Sequence, residues 1–373
     1  MNPLLIMIGV PLVAMALTAL LTPLVAALAA HYGLFAPTNE RTIHTRPVAQ
    51  LGGIAIFAGF VTAMLLSLPL TRHGPLVRDS YEVLRIWLLL AGATMLWIVA
   101  LLDDLFDLPA GPRLIWQIIC ALVAVGPYLW ERQLYGPADQ ARGIIFTAFN
   151  NPFGGQINFH YDWSPWLAIV VTVLWIVGMT NTLNWIDGLD GLAAGVTLIA
   201  ATILAIHTYR LGQETVMLLP LALAGACLGF LPYNFHPARI FMGDNGAMVL
   251  GYLLAIAAII GGAKLASALL VLGVPILDGI WMVIYRRSTG RRASAADRRH
   301  LHHRLLDLGL SQRQVVLLYY AISAAFGAIA LLVPDGNRLL KLGALLALAA
   351  MLGGMLWYVS WRVPRVVSRQ RSG

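Results

Sequence analysis

Residues 165–207 read PWLAIVVTVLWIVGMTNTLNWIDGLDGLAAGVTLIAATILAIH. Two apolar runs, 165–182 and 189–207, flank a short polar stretch with almost no loop between them. A helix needs roughly 20 apolar residues to cross the hydrocarbon of a bilayer, whereas a barrel strand needs only ~10 with alternating polarity. Both runs have helical length and neither alternates. The stretch therefore reads as two membrane helices joined by a tight polar turn. Nine further runs occur at approximately 4–30, 50–70, 84–102, 114–130, 216–232, 247–262, 266–284, 315–333 and 340–361. The expected fold class is all-α: a polytopic integral membrane protein of about eleven transmembrane helices. Ten are also allowed, because the seventh run in chain order is short and the third ends in acids.

Composition agrees. Of 373 residues, 59% are hydrophobic and 11% charged, and the mean hydropathy is +0.77. An ordinary soluble domain carries about 25% charge, so a soluble globule is excluded, and so is disorder. The net charge is +8, and the basic residues are 23 Arg with only Lys264 and Lys341. Such charge is expected at a membrane face, and no nucleic-acid partner is implied. Cys120 and Cys227 lie in apolar runs and imply neither a disulfide framework nor a thiolate metal site. The first Arg or Lys is Arg41, so the first run lacks the basic leader of a cleaved signal peptide. Basic residues stay cytoplasmic. An outside N-terminus and an inside C-terminus put 16 of the 25 basic residues on inside segments. On that reading 285–314 is a cytoplasmic loop and 131–164 an outside loop forming a structured connection or a short hairpin. Residues 1–373 make a single membrane-embedded domain.

The unusual polar groups then all fall on the inner side. Ionisable groups near membrane-buried helix are costly, so each is a candidate functional site. Asp103, Asp104 and Asp107 crowd the inner end of the third run, where the helix dipole is negative. They need a cation, a proton or a basic partner, although a solvated helix end countered by Arg113 also explains them. Asn181, Asn184, Asp187 and Asp190 join the fifth and sixth runs together with Gly188 and Gly191. Helix capping explains one of those acids, not four polar groups and two glycines. In 234–246, Gly243 and Gly246 bracket Asp244. Backbone amides at a helix start can cradle phosphate, and a carboxylate beside them suits Mg2+; a capped turn is the plainer account. Residues 297–304 read DRRHLHHR. The histidines could hold Zn2+, but the surrounding positive charge favours an anion such as diphosphate. A basic loop meeting anionic lipid explains the arginines and not the histidines. Arg41, His44 and Gly52-Gly53 are weak singly and fit a basic loop followed by glycine packing.

Carboxylates, amides, imidazoles and arginines on one face suit phosphoryl transfer, which uses metal to neutralise phosphates and positive groups for a leaving diphosphate. The chain has no Gly-x-Ser-x-Gly elbow and no P-loop lysine motif, which argues against acyl transfer and ATP hydrolysis. A transporter, the alternative of a different class, would more often place its polar residues near the bilayer midplane.

At these residues the chain resembles the polyprenyl-phosphate N-acetylhexosamine-1-phosphate transferases. The matching motifs are the acid pair 103–104, NxxNxxDGxDG at 181–191, FMGDxG at 241–246 and DRxHLHHRL at 297–305. Such enzymes move a sugar 1-phosphate from a UDP-sugar to a polyprenyl phosphate such as undecaprenyl phosphate. They release UMP and need Mg2+, for which Mn2+ can substitute. The resemblance implies that Asp244 is the principal Mg2+ ligand and that Asp103 and Asp104 are catalytic acids engaging metal and lipid phosphate. It implies that Asn184, Asp187 and Asp190 line the nucleotide pocket. Asn234 and Phe241 would hold the uridine, Phe241 by stacking. His302 and His303 would contact the diphosphate, with His300, Arg304, Arg41 and His44 as further substrate-binding positions. The spaced histidines resemble the N-acetylglucosamine branch. The phospho-N-acetylmuramoyl-pentapeptide transferases, more often with three successive histidines, are the alternative within the class, and a flippase for the same lipids is the alternative outside it. Ala36, Thr42 and Ala49 depart from the pattern, and Arg113 and Arg239 replace its usual lysines. The implied setting is the plasma membrane, with a cytoplasm-facing site at the first membrane step of cell-envelope polysaccharide synthesis. The implied partners are the bilayer, donor and acceptor; a homodimer is compatible.

Overall fold

A computed structural model describes residues 2–36, 47–74, 76–131, 142–151, 155–159, 163–262, 269, 273–288, 300–334 and 337–371. Among them are twelve α-helices: α1 Pro3–His31, α2 Gly53–Leu70, α3 Ser80–Phe106, α4 Ala110–Val125, α5 Pro165–Ile186, α6 Leu192–Arg210, α7 Glu214–Asn234, α8 Asp244–Ile260, α9 Gly273–Ser288, α10 Leu301–Asp307, α11 Gln312–Leu332 and α12 Arg338–Arg371. A 3-10 turn, Gly126–Leu129, extends α4. Strands β1 (Ala148–Asn150) and β2 (Gln156–Asn158) pair antiparallel with Phe149 opposite Ile157, a short hairpin and so one of the two forms expected within 131–164.

The fold is an all-α, multi-pass membrane protein. Eight described helices are long and apolar enough to cross a bilayer: α1 to α7 and α11. Two shorter apolar helices, α8 and the 339–355 part of α12, join them. The expected run 266–284 overlaps the 16-residue α9. Helix α8 is short because Gly243 precedes it and the glycine pair at 261–262 follows, Gly262 at φ +59. It is also the heart of the bundle, with every residue from Asn245 to Ala258 buried. A helix apolar all round is the kind that is packed all round.

Small residues let the helices meet. Gly225 and Gly229 of α7 lie so near α1 that a Cβ would come within 2.2 Å of the Pro11 carbonyl oxygen and 2.3 Å of the Met15 carbonyl oxygen. This is the small-xxx-small contact of membrane helices. Gly251 of α8 meets the Met179 carbonyl of α5 in the same way. Helices α3 and α5 also flank α8, and α6 packs on both α7 and α11.

The polar junctions α1–α2, α3–α4, α5–α6, α7–α8 and α9–α11 share one end of the bundle, hereafter the site end. The segment before α2 runs beside the one before α8: Ala49 bridges Phe35 and Ile240, and Gly52 and Gly53 donate their N–H groups to the Phe241 and Met242 carbonyls, each at 2.8 Å. A Cβ on Gly53 would lie 2.1 Å from Asn245 Oδ1 and 2.2 Å from Gly246 N; the paired glycines are therefore a backbone-contact site. The hairpin lies at the far end, near exposed Trp130, Trp163 and Trp166, residues suited to a membrane–water interface.

Candidate active site

Two consecutive acids at the end of α3 have different tasks. Asp104 caps α8 from outside. Its Oδ1 accepts from Asp244 N and Gln50 Nε2, both at 2.8 Å, and its Oδ2 accepts from Asn245 N at 2.9 Å and Asn245 Nδ2 at 2.6 Å. Four donors on two oxygens saturate the carboxylate, which sits where the helix dipole favours negative charge. In this arrangement Asp104 sets the position of Asp244 through the backbone. Asp103 is buried. Its Oδ1 accepts from Leu108 N at 2.8 Å, and its Oδ2 faces Arg113 NH1 at 2.6 Å.

Arg113, near the start of α4, reaches Asp244 as well, with NH1 3.2 Å from Asp244 Oδ2. Asn184 donates to the other oxygen, Oδ1, at 2.8 Å. Thus α3, α4, α5 and α8 each supply a group to one cluster: Asp103, Arg113, Asn184 and Asp244. One turn into the membrane, Gln117 and Asn181 exchange amide contacts, with Asn181 Nδ2 to Gln117 Oε1 at 2.6 Å. That pair holds α4 to α5 and so fixes the spacing between Arg113 and Asn184.

Asp187 terminates α5, its N–H donating to the Asn184 carbonyl at 3.3 Å, while its carboxylate has no hydrogen-bond or ion-pair partner among the described residues. Burial, and then the charges of Asp104 and Asp190, push its carboxyl up to about 7. A half-buried acid among acids is a place for a cation. Asp190 is buried and turned the other way. Its Oδ2 accepts from Ala238 N at 3.0 Å and lies 2.9 Å from His236 Nδ1. Asn234 accepts from Gly191 N and donates to the Ile240 carbonyl, each at 3.0 Å. Both residues brace the α5–α6 junction against the α7–α8 junction. Phe241 is half-buried on the strap shared with Ala49.

The histidine motif reaches the same end. His300 Nδ1 lies 3.0 Å from Asp278 Oδ2, and its ring stacks on His302 at 5.5 Å. His302 is fully buried, packed so that a Cβ on Gly188 would lie 2.6 Å from its Nε2. Burial, then the neighbouring His303 and His300, hold its pKa well below the usual imidazole value. His302 is therefore neutral at pH 7, and it locks the motif onto the α5–α6 turn. His303 and Arg304 remain half-buried. Arg41, His44 and Asp297 to Arg299 lie outside the described residues.

The donor set suits a hard divalent cation. Asp103, Asp187 and Asp244 offer oxygens only, and a guanidinium nitrogen already occupies the place of positive charge between two of them. No ready-made cage of three or more metal-binding side chains occurs among the described residues. Mg2+ does not require one, because it commonly takes one or two carboxylates and completes its shell with water and substrate phosphate. Gln50, Gln117, Asn245 and Asp278 belong to the site's framework and are not among the site residues that the sequence marks. Only Gln117, one turn beyond Arg113, leaves a local trace.

Comparison with known proteins supplies the wider setting. Residues 86–262 match the model of glycosyl transferase family 4. The chain is 33% identical over 329 residues to a probable undecaprenyl-phosphate N-acetylglucosaminyl 1-phosphate transferase of Bacillus subtilis (strain 168), covering 87% of this chain and 84% of that protein. It is 35% identical over 357 residues to a decaprenyl-phosphate N-acetylglucosaminephosphotransferase of Mycobacterium tuberculosis, covering 86% and 83%. Similarity to a phospho-N-acetylmuramoyl-pentapeptide-transferase of Pelotomaculum thermopropionicum is 35% but spans 237 residues, 62% of this chain and 69% of that one.

Proposed function

Because this chain belongs to glycosyl transferase family 4, we propose that it transfers N-acetylglucosamine 1-phosphate from a UDP-sugar to a polyprenyl phosphate such as undecaprenyl phosphate. An oxygen of the acceptor phosphate attacks the donor's β-phosphorus. The bond from that phosphorus to the bridging oxygen breaks, and UMP leaves with that oxygen. The site end faces the cytoplasm, and the product begins a cell-envelope polysaccharide.

The observation that carries this reading is the meeting of Asp103, Arg113, Asn184 and Asp244, with Asp187 capping the helix that carries Asn184 and feeling the charge of Asp104. Asp244, with Asp103 and Asp187, would hold Mg2+, which when bound neutralises the donor's diphosphate. The remaining guanidinium donors of Arg113 suit phosphate oxygens. Asp103 orients the acceptor oxygen, which needs little base help because a phosphate's second pKa is about 6. A groove of about 390 Å3 between α5 and α9, walled by Trp175, Met179, Trp185, Ile276, Ile280 and Val283, offers the lipid chain a lateral way in. The relatives named for N-acetylglucosamine transfer match more of the chain than the muramoyl-pentapeptide enzyme does, which supports the choice of donor.

The test is UMP release by purified protein given undecaprenyl phosphate, Mg2+ and one UDP-sugar at a time. Release with UDP-N-acetylglucosamine is expected. Product only with the muramoyl-pentapeptide donor would overturn the donor assignment, and lipid movement in proteoliposomes without UMP release would overturn the enzyme reading.

A further inference from the structure

Helix α9 carries a carboxylate where its sequence, Gly-Val-Pro-Ile-Leu-Asp-Gly-Ile-Trp-Met at 273–282, is otherwise apolar. Asp278 is only 2% exposed. A buried acid in a membrane helix is expensive and is retained for a task. Both of its oxygens are committed to the histidine motif: Oδ2 lies 3.0 Å from His300 Nδ1, and Oδ1 accepts the N–H of Leu301 at 3.0 Å. His300 is the residue before α10 and Leu301 its first. The carboxylate therefore caps α10 and orients the ring beside it. An acceptor-only carboxylate facing Nδ1 requires a proton on that nitrogen, so in the neutral ring Nε2 is the lone-pair side.

The orientation passes along the motif. The His300 ring stacks on His302, and His302 lies 4.3 Å from His303 by ring centroids. His302 in turn packs on Gly188. Helix α9 is two-sided. Ile276, Gly279, Ile280 and Val283 face the α5 groove, while Asp278, on another face, grips the motif. Gly279 fits against Thr182 and Trp185 with a would-be Cβ 3.3 Å from each, which anchors α9 to the helix that ends in Asn184 and Asp187.

We propose that Asp278 is a positioning residue for the reaction: it fixes the His300 tautomer and the placement of α10, and so aims the half-buried His303 and Arg304 at the donor's diphosphate. This deepens the transferase reading and rests on it. Asp278→Asn is the informative change. Its amide can keep only one of the two contacts in the same sense, so either the Leu301 N–H loses its acceptor or the His300 proton moves to Nε2.

In detergent-purified protein, UMP release is expected to fall at least tenfold in Asp278→Asn with an unchanged helical spectrum. His300→Gln should fall comparably, and the double variant should be no worse than either alone. Nitrogen-15 spectra of histidine-labelled wild type, assigned by the signal lost in His300→Gln, should show His300 protonated at Nδ1. Multiplicative losses in the double variant, wild-type-like turnover in Asp278→Asn, or an unprotonated Nδ1 in the wild type would each overturn the proposal. The spectrum decides even if the Asn variant does not fold. Wild-type UMP release in the same preparation tests the transferase reading separately, so the two can fail independently.

Discussion

The two ends of the bundle handle buried charge in opposite ways. At the far end, Arg78 precedes α3 and is buried. Its NH1 donates to Ser67 Oγ at 2.8 Å and Thr71 Oγ1 at 3.1 Å, and its NH2 to the Thr215 carbonyl at 3.4 Å. Thr215 Oγ1 donates to Glu82 Oε1 at 2.9 Å. Burial pulls the guanidinium down to about 10, opposed by the Glu82 charge, so it stays protonated at neutral pH. Acid and base are matched there, and the contacts tie α2, α3 and α7 together. At the site end, Asp103, Asp104, Asp187, Asp190 and Asp244 gather where Arg113 is the arginine bonded to two of them. A fold that sought only stability would not leave acids in surplus. Active sites commonly sacrifice stability for the electrostatics that chemistry needs.

The largest break in this comparison is expected from Asp244→Asn. The amide keeps the shape of the α8 start, where Asp104 still accepts the backbone N–H of residue 244. It removes the charge that faces Arg113 and that would face a cation. UMP release should drop by on the order of 10²–10³, the size typical of losing one preorganised electrostatic group, while the melting midpoint stays close to wild type. Near-normal turnover would show that the metal assignment is mistaken.

Arg78→Ala should do the reverse. Ser67 and Thr71 still donate to carbonyls of their own helix, and Glu82 keeps the Thr215 hydroxyl and the charge of Arg85, so the loss is mainly the arginine's own contacts. About 1–3 kcal/mol of stability should disappear, read as a lower melting midpoint, with UMP release per folded molecule unchanged. A turnover defect as large as the stability defect would mean that the far end is coupled to the chemistry.

Asp187→Asn sharpens the contrast because its stability effect should have the opposite sign. The carboxyl sits at about 7 in the folded protein against 3.8 for the free side chain. Between those values the unfolded chain gives up a proton that the folded chain keeps, so stability falls as pH rises through that window and the full penalty is present at pH 8. Removing the acid should raise stability at pH 8 by about 1–2 kcal/mol, less than the full shift implies because the group keeps some contact with water. The gain should vanish near pH 4. Turnover should fall at the same time.

How much of this is written in the sequence depends on the distance over which partners act. The helices are legible because roughly 20 consecutive apolar residues leave few alternatives. The junctions are legible because Asp103, Asn184, Asp187 and Asp244 stand out against an apolar background. What each acid does is not. Asp103 and Asp104 are neighbours, yet one meets an arginine ten residues later and the other caps a helix 140 residues away. Asp190 shares a motif with Asp187 but bonds His236 and the Ala238 N–H across another junction. Asp278 has no local partner at all, and only the packing of α9 against α10 and α5 gives it one. Motif spacing reports which residues share a turn, and tertiary packing decides which way they face.

The smallest expected effect also tests the site end. His302 is neutral when folded, whereas in the unfolded chain it titrates near 6.5. Below that value the unfolded chain takes up a proton that the folded protein refuses, so stability declines on acidification and the contribution is absent at pH 8. In His302→Gln this slope should flatten between pH 7 and 5, whatever constant offset the amide brings. Melting midpoints of both proteins across that range provide the check, and identical slopes would show that His302 is not shielded from protonation. Asp187 penalises the fold as pH rises, and His302 penalises it as pH falls. A double variant at positions 187 and 302 should therefore show a flatter pH–stability profile than the wild type while having lost its transferase activity.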